Sequence, residues 1–172
     1  MVSSSRRIAL ASLFGVMILA AMGFVPAPTS DYLIVFQSFF LALSFLVVGR
    51  GGATYVGAVS GLLITFVKIG FFPYDLVFSL MFGVLVDAFA TALGAKDGPL
   101  AKTTKLVLCM MLSTGIVGFS AYYVTAVATN LVPDNFLIDL TVLIFGVISG
   151  AIGGALAARL WNRNLTGRLQ GN

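Results

Sequence analysis

The stretch from Phe136 to Trp161 reads FLIDLTVLIFGVISGAIGGALAARLW. It holds one acid near its start, Asp139, and one base near its end, Arg159, with nothing ionisable between them. A bilayer core about 30 Å thick needs about 20 mostly apolar residues in an α-helix, and this run has that length and character. A transmembrane β-strand alternates apolar and polar residues over about ten positions, whereas this run is continuous, so it is read as a helix. Glycines recur in it at four-residue spacing, at Gly146, Gly150 and Gly154. Small residues in that pattern mark close helix contacts in lipid.

Outward from it, the chain repeats the theme five times. Ile8 to Val25 is apolar and stops at Pro26-Ala27-Pro28, and Leu33 to Val48 stops at Gly49-Arg50-Gly51-Gly52. Ala53 to Phe72 holds one charge, Lys68, and stops at Pro73. Leu76 to Ala95 holds one charge, Asp87, and ends in Lys96-Asp97-Gly98-Pro99. The fifth run starts at Leu106, reaches about Asn130 and ends near Pro133-Asp134-Asn135. The breakers fall between the runs, where helix ends belong. The expected fold is an all-α integral membrane protein, a six-transmembrane-helix bundle in one domain over 1–172. Its helices are expected at about 8–25, 33–48, 53–72, 76–95, 106–130 and 136–161. The first run, behind Arg6 and Arg7, is longer than a signal-peptide core and leads directly into the second, so it is read as a retained helix.

Composition agrees. Of 172 residues 59% are hydrophobic and 9% charged, with mean hydropathy +1.07. A soluble domain is roughly 25% charged, so a water-facing surface cannot be covered here. With six crossings, Arg6, Arg7, Arg50, Lys96, Lys102, Lys105, Arg159, Arg163 and Arg168 share one side; of the 10 basic residues only Lys68 does not. The opposite side holds Asp31, Asp75, Asp134 and Asp139. The positive-inside rule then places both termini in the cytoplasm. The net charge of +4 reflects this asymmetry. Its basic residues are dispersed and lack interleaved aromatics, so no nucleic acid is expected as a partner.

Histidine and glutamate are absent and Cys109 is the one cysteine. With no metal-ligand cluster, nucleophile–base pair or phosphate loop, neither a metal, a cofactor nor an enzymatic activity is expected. Polar residues inside the runs are the informative ones. Asp87, about halfway along the fourth run, is costly there unless paired, hydrated or protonated. It is read either as a ligand or proton site or as a hydrogen-bonded structural group. It shares an i, i+4 row with Asp75, Ser79 and Gly83. Lys68 either snorkels to headgroups or meets an anionic ligand group. Gln37, Tyr74, Ser79, Tyr123, Asn130 and Asp139 complete the candidate ligand-binding set, all in the outer parts of their runs. Tyrosines at that depth also form aromatic belts, but polar groups gathered at one end of several helices suit an outward pocket. The stripes Ala53-Gly57-Gly61 and Gly146-Gly150-Gly154 are read as packing within the bundle, and Ala11 with Gly15 as a surface for a partner.

The segments Arg7-Ile8-Ala9-Leu10-Ala11-Ser12-Leu13-Phe14-Gly15 and Gly146-Val147-Ile148-Ser149-Gly150-Ala151-Ile152-Gly153-Gly154-Ala155, with the Pro26-Ala27-Pro28 break and the glycine-rich third helix, resemble those of an energy-coupling factor S-component. These are prokaryotic six-helix substrate-binding subunits of vitamin importers. The resemblance implies a cell-membrane protein that captures a small water-soluble vitamin or related nutrient in an outward pocket. It implies partners too: a transmembrane coupling subunit carrying two ATPase subunits, met through a small-xxx-small motif on helix 1. That motif would be Ala11 and Gly15, where the family's usual second residue is alanine. The alternatives are a stand-alone secondary transporter or channel using Asp87 as an ion or proton site, and a membrane assembly protein without a ligand.

Overall fold

The structure, a computed structural model, describes residues 4–24, 33–68, 73–96, 98, 100–124 and 136–165. Six α-helices account for nearly all of them: α1 (Ser4–Met22), α2 (Ile34–Val48), α3 (Gly52–Val67), α4 (Tyr74–Ala92), α5 (Thr103–Tyr122) and α6 (Phe136–Leu160). A π-helical turn, Trp161–Leu165, continues α6. No strand occurs among the described residues.

The helix bounds depart from the apolar runs in an instructive way. Both α1 and α5 begin before their runs, at Ser4 and Thr103, because a hydrogen-bonded helix continues into polar flanks. The first turn of α4 starts directly behind Pro73, whose carbonyl accepts the Val77 N–H at 3.1 Å. Proline fits there because the first helical N–H groups lack partners in their own helix. The expected extensions of the first, third and fifth helices to 25, 72 and 130 fall partly outside the described residues. Within them, α1 closes at Gly23, whose N–H reaches the Leu19 carbonyl at 2.6 Å. The link from α2 to α3 is three residues long, and Gly49 and Gly51 take φ of 93° and 85°. Only glycine adopts that region without strain, which makes so short a reversal possible.

Three of the helices, α4, α5 and α6, are long and apolar enough to cross a membrane. In α6 only 22% of the most apolar stretch is buried within the protein. The rest needs an apolar surrounding, as lipid supplies. The other three helices are apolar but have 15 to 19 residues. A 15- or 16-residue helix spans about 22–24 Å at 1.5 Å per residue, so α2 and α3 need their flanks to match a full bilayer core.

Helix α2 is the hub, in contact with all five others. Its residues Leu41 to Leu46 are buried without interruption, on every side of the helix. A helix that is apolar all round belongs in the interior, and α2 carries no charge at all. Around it, α3 pairs with α4 and α5 with α6, each antiparallel. The small-residue stripes make these pairs. A Cβ on Gly57 would overlap the Ser79 carbonyl, and one on Gly83 the Ala53 carbonyl. On the other pair, Gly146 faces the Thr114 backbone, Gly150 the Met110 carbonyl and Gly154 the Val107 Cα. Gly153 instead faces α2 at Ser38, whose hydroxyl lies 3.3 Å from the Ser149 carbonyl. The glycines of α3 and α6 therefore serve contacts within the chain.

This packing can be tested at single glycines. Gly150→Ala is expected to lower stability by about 1–3 kcal/mol, the usual range for overpacking. At Gly118 nothing lies within 4 Å of an added Cβ, so Gly118→Ala is expected to be neutral or stabilising by up to about 1 kcal/mol. Chemical unfolding of both variants in detergent reads the difference.

Candidate functional site

The two ends of the bundle differ chemically. The end that holds the starts of α1, α3 and α5 exposes Arg50, Lys102, Lys105, Arg159 and Arg163 and is here the basic end. The opposite end carries Lys68, Asp75 and Asp139, each half-buried, and is the acidic end.

Several of the candidate residues meet near the acidic end. Gln37 of α2 and Ser79 of α4 are both buried, and the Gln37 amide Nε2 donates to Ser79 Oγ at 3.3 Å. Gly61 lets α3 approach Ser79, since a Cβ there would lie 2.9 Å from the serine Cβ. The three helices thus converge on one polar pair. Further out, Lys68 caps the C-terminus of α3, with its N–H on the Ile64 carbonyl at 2.7 Å. A cation at that place suits the negative end of the helix dipole.

Among the described residues, Thr65 Oγ1 in the last turn of α3 and Asp139 Oδ1 in the first turn of α6 are buried polar atoms at this end without a hydrogen-bond partner. The register of the α5–α6 pair sets Gly146 against Gly115 and Gly154 against Val107. Continued outward, it brings Asp139 level with Tyr122. In the α3–α4 pair, Gly57 against Ser79 and Gly61 against Leu76 bring Asp75 level with Leu62, about one turn short of Thr65. A buried polar group costs about 1–3 kcal/mol when it is left unpaired, and Ser113 Oγ and Thr114 Oγ1 in the middle of α5 share that condition. Thr65 was not among the sequence candidates. Its signal, one hydroxyl three residues before Lys68 in an apolar helix, is too common to single out.

The tyrosines are less involved. Tyr74 opens α4, is 39% exposed and stacks on Phe78, with ring centroids 6.5 Å apart. Tyr123 is 50% exposed and stacks on Phe119 at 6.4 Å. Asn130 lies outside the described residues.

Asp87 belongs to the other end. It is the fourteenth residue of α4, counted from Tyr74, and it faces the start of α3. There Thr54 N–H and Oγ1 donate to Oδ2 at 2.7 and 2.6 Å, and Ala53 N–H is 3.4 Å from Oδ1. The N-cap of α3 is Gly51, which has no side chain to cap with. Asp87 supplies that cap from a neighbouring helix, with its negative charge at the positive end of the α3 dipole. Of its two sequence readings, this geometry is that of the hydrogen-bonded structural group.

The helix 1 pair also has a partner inside the chain. Ala11 is 1% exposed, and a Cβ on Gly15 would lie 2.7 Å from Val59 Cγ1 of α3. Beside them Ser12 and Tyr55 hydroxyls lie 3.2 Å apart. The exposed face of α1 instead carries Ala9, Leu13, Val16 and Ala20.

A cleft of about 110 Å³ opens at the basic end between the ends of α2 and α4, lined by Phe45, Arg50, Thr91 and Lys96 among others. Lys96 is tied down there: its Nζ donates to the Leu46 carbonyl and lies 4.3 Å from the centre of the Trp161 ring. No group of three or more metal-ligating side chains occurs among the described residues. No protein-family model, curated protein or solved structure matches the chain.

Loss of the cross-helix cap has a defined cost. Asp87→Ala is expected to destabilise by about 0.5–2 kcal/mol, as removal of an N-cap does. In a double-mutant cycle with Thr54→Val the two changes should couple, because they remove one interaction. Additive effects on unfolding would show that Asp87 and Thr54 do not act together.

Proposed function

We propose that this chain crosses the membrane six times with both termini in the cytoplasm. We propose further that it is the substrate-binding subunit of an ATP-driven importer of the energy-coupling factor type. Its ligand is a small water-soluble nutrient, held at the acidic end facing outward. The crossing number is supported by six apolar helices whose basic flanks fall at one end.

The observation that carries the binding role is the pair of buried, unpartnered polar atoms, Thr65 Oγ1 and Asp139 Oδ1. They stand at the same end as the Gln37–Ser79 pair and Lys68. A ligand with donors and acceptors satisfies such groups, and these two lie at an open end of the bundle, unlike the equally unpartnered Ser113 Oγ and Thr114 Oγ1 in its middle. The reading that Asp87 serves as an ion site in a stand-alone transporter draws less support, because both its oxygens already accept hydrogen bonds.

Docking to a coupling subunit takes a modified form in this proposal. Ala11 is buried and Gly15 packs on Val59 of α3, so the partner meets the face of Ala9, Leu13, Val16 and Ala20. Leu13→Trp is expected to abolish co-purification with an ATPase pair while leaving thermal stability unchanged. Ala11→Trp is expected to damage the fold itself.

The ligand is tested by gentle purification and mass spectrometry of retained small molecules. The expected result is one molecule held by the wild type. Its occupancy should fall about tenfold in Asp139→Asn, the loss of one charge-assisted hydrogen bond. Preparations that hold nothing, with no vitamin shifting the thermal midpoint, would overturn the binding role.

A further inference from the structure

The cleft at the basic end lies between the C-terminal ends of α2 and α4, and its lining includes Phe45, Gly49, Arg50, Ala90, Thr91 and Lys96. Its volume is about 110 Å³. A single water needs about 10–15 Å³, so the cleft admits a group several atoms across. Its wall is open at Gly49, where nothing lies within 4 Å of an added Cβ.

The end of a helix ordinarily offers bare carbonyls, which favour a cation. In this cleft the carbonyls of the lining residues are taken. Those of Phe45 and Gly49 accept the Gly49 and Gly52 N–H groups at 2.9 and 3.0 Å. Those of Ala90 and Thr91 accept the Ala95 and Gly94 N–H groups at 2.9 and 3.2 Å. The Leu46 carbonyl, at the end of the same helix as Phe45, accepts the Lys96 ammonium.

The capacity left open belongs to donors. Arg50 is exposed and the Thr91 side chain half-buried, and neither side chain makes a hydrogen bond or ion pair among the described residues. Lys96 is fixed at the wall by the Leu46 carbonyl and by the face of Trp161, itself 3% exposed. The ends of α2 and α4 oppose an anion with about half a negative charge each, and the two full positive charges outweigh them. Asp87, one turn before Thr91, is turned to the start of α3 and does not line the cleft. A guanidinium carries its donors in a planar fork that matches the oxygens of a phosphate, and a hydroxyl beside it supplies one donor more.

We propose that this cleft binds a phosphate group, with Arg50 as the forked donor, Thr91 as the hydroxyl donor and Lys96 as a fixed counter-charge. A phospholipid headgroup and free phosphate share that chemistry, and the test separates them. The inference depends neither on the nutrient site, which lies at the opposite end, nor on the proposed topology.

Calorimetric titration of the delipidated full-length protein in detergent uses two probes, inorganic phosphate and short-chain phosphatidylglycerol, at an ionic strength held constant with potassium chloride. The wild type is expected to bind phosphatidylglycerol, phosphate or both, saturably and at one site per chain. Phosphatidylglycerol at least about tenfold tighter than phosphate marks a headgroup site; equal or weaker binding of the lipid marks a site for the free anion. Arg50→Gln is expected to weaken binding by about tenfold to a hundredfold, the loss of a charge-assisted hydrogen bond. Thr91→Val should weaken it by about two- to tenfold, and it carries the test independently if Arg50→Gln proves unstable. Arg163→Gln, which removes a cation outside the cleft, should leave both affinities unchanged. Binding of neither probe, or an equal loss in the cleft variants and in Arg163→Gln, would overturn the proposal. So would an aspartate-containing peptide that binds more tightly than either probe and is lost in Arg50→Gln, which would assign the cleft to a carboxylate of a protein partner. None of these outcomes bears on the crossing number or on the acidic-end ligand.

Discussion

Backbone-to-backbone approach is the constraint on which the rest of the structure depends. Helices in an apolar medium gain little from burying apolar surface against one another, so they associate through close packing and internal hydrogen bonds. In the α3–α4 pair Gly57, Gly61 and Gly83 remove the side chains that would hold the backbones apart. That approach brings Asp87, one turn beyond Gly83, within 2.7 Å of the Thr54 N–H. The glycines and the carboxylate are one device: the seam delivers the cap, and the cap secures the start of α3. A carboxylate in the apolar part of a membrane protein is expensive. Here it is offset by three donors and a helix dipole.

The same constraint arranges the remaining helices. Gly146, Gly150 and Gly154 draw α5 against α6, and Gly153 turns the next face of α6 toward Ser38 of the hub helix α2. Because α2 is surrounded, it accommodates polar groups only where they are paired, as Ser38, Ser44 and Gln37 are. These groups of α2 are satisfied, whereas Ser113 Oγ and Thr114 Oγ1 in the middle of α5 are buried without a hydrogen-bond partner among the described residues. Further unpartnered buried polar atoms stand at the acidic end, at Thr65 and Asp139, and exposed cations at the basic end, among them Arg50, Lys105, Arg159 and Arg163. The two ends of the bundle therefore differ in charge.

Much of this was legible in the sequence, because run length and breakers are local. Six helices and the clustering of basic residues at one end follow from them directly, and the stripes of α3 and α6 announced packing faces. What those faces meet is a long-range property. The stripe of Ala11 and Gly15 looks the same whether it is turned to α3 or to a partner, and only the tertiary packing places it on Val59. Asp87 reads as a lone charge in an apolar run because its donors lie more than thirty residues away, in another helix. Gln37 and Ser79 were identifiable as polar interruptions, but not as a pair. The central place of α2 was equally hidden, since the apolar run before it is also uncharged and the run after it holds only Lys68. Asn130 and the extension of the fifth helix lie outside the described residues.

The proposed topology is an oriented bundle, with every basic helix end on one side of the membrane and the acidic end on the other. Labelling of single cysteines in intact cells, in a Cys109→Ser background, measures this directly. Cysteines introduced at Phe24, Lys68 and Pro73 are expected to react with an impermeant maleimide before lysis. Cysteines introduced at Arg50, Gly98 and Arg163 are expected to react only after it. Labelling that splits either group of three across the membrane would contradict the six-crossing bundle, and with it the division of the protein into a ligand end and a cytoplasmic end.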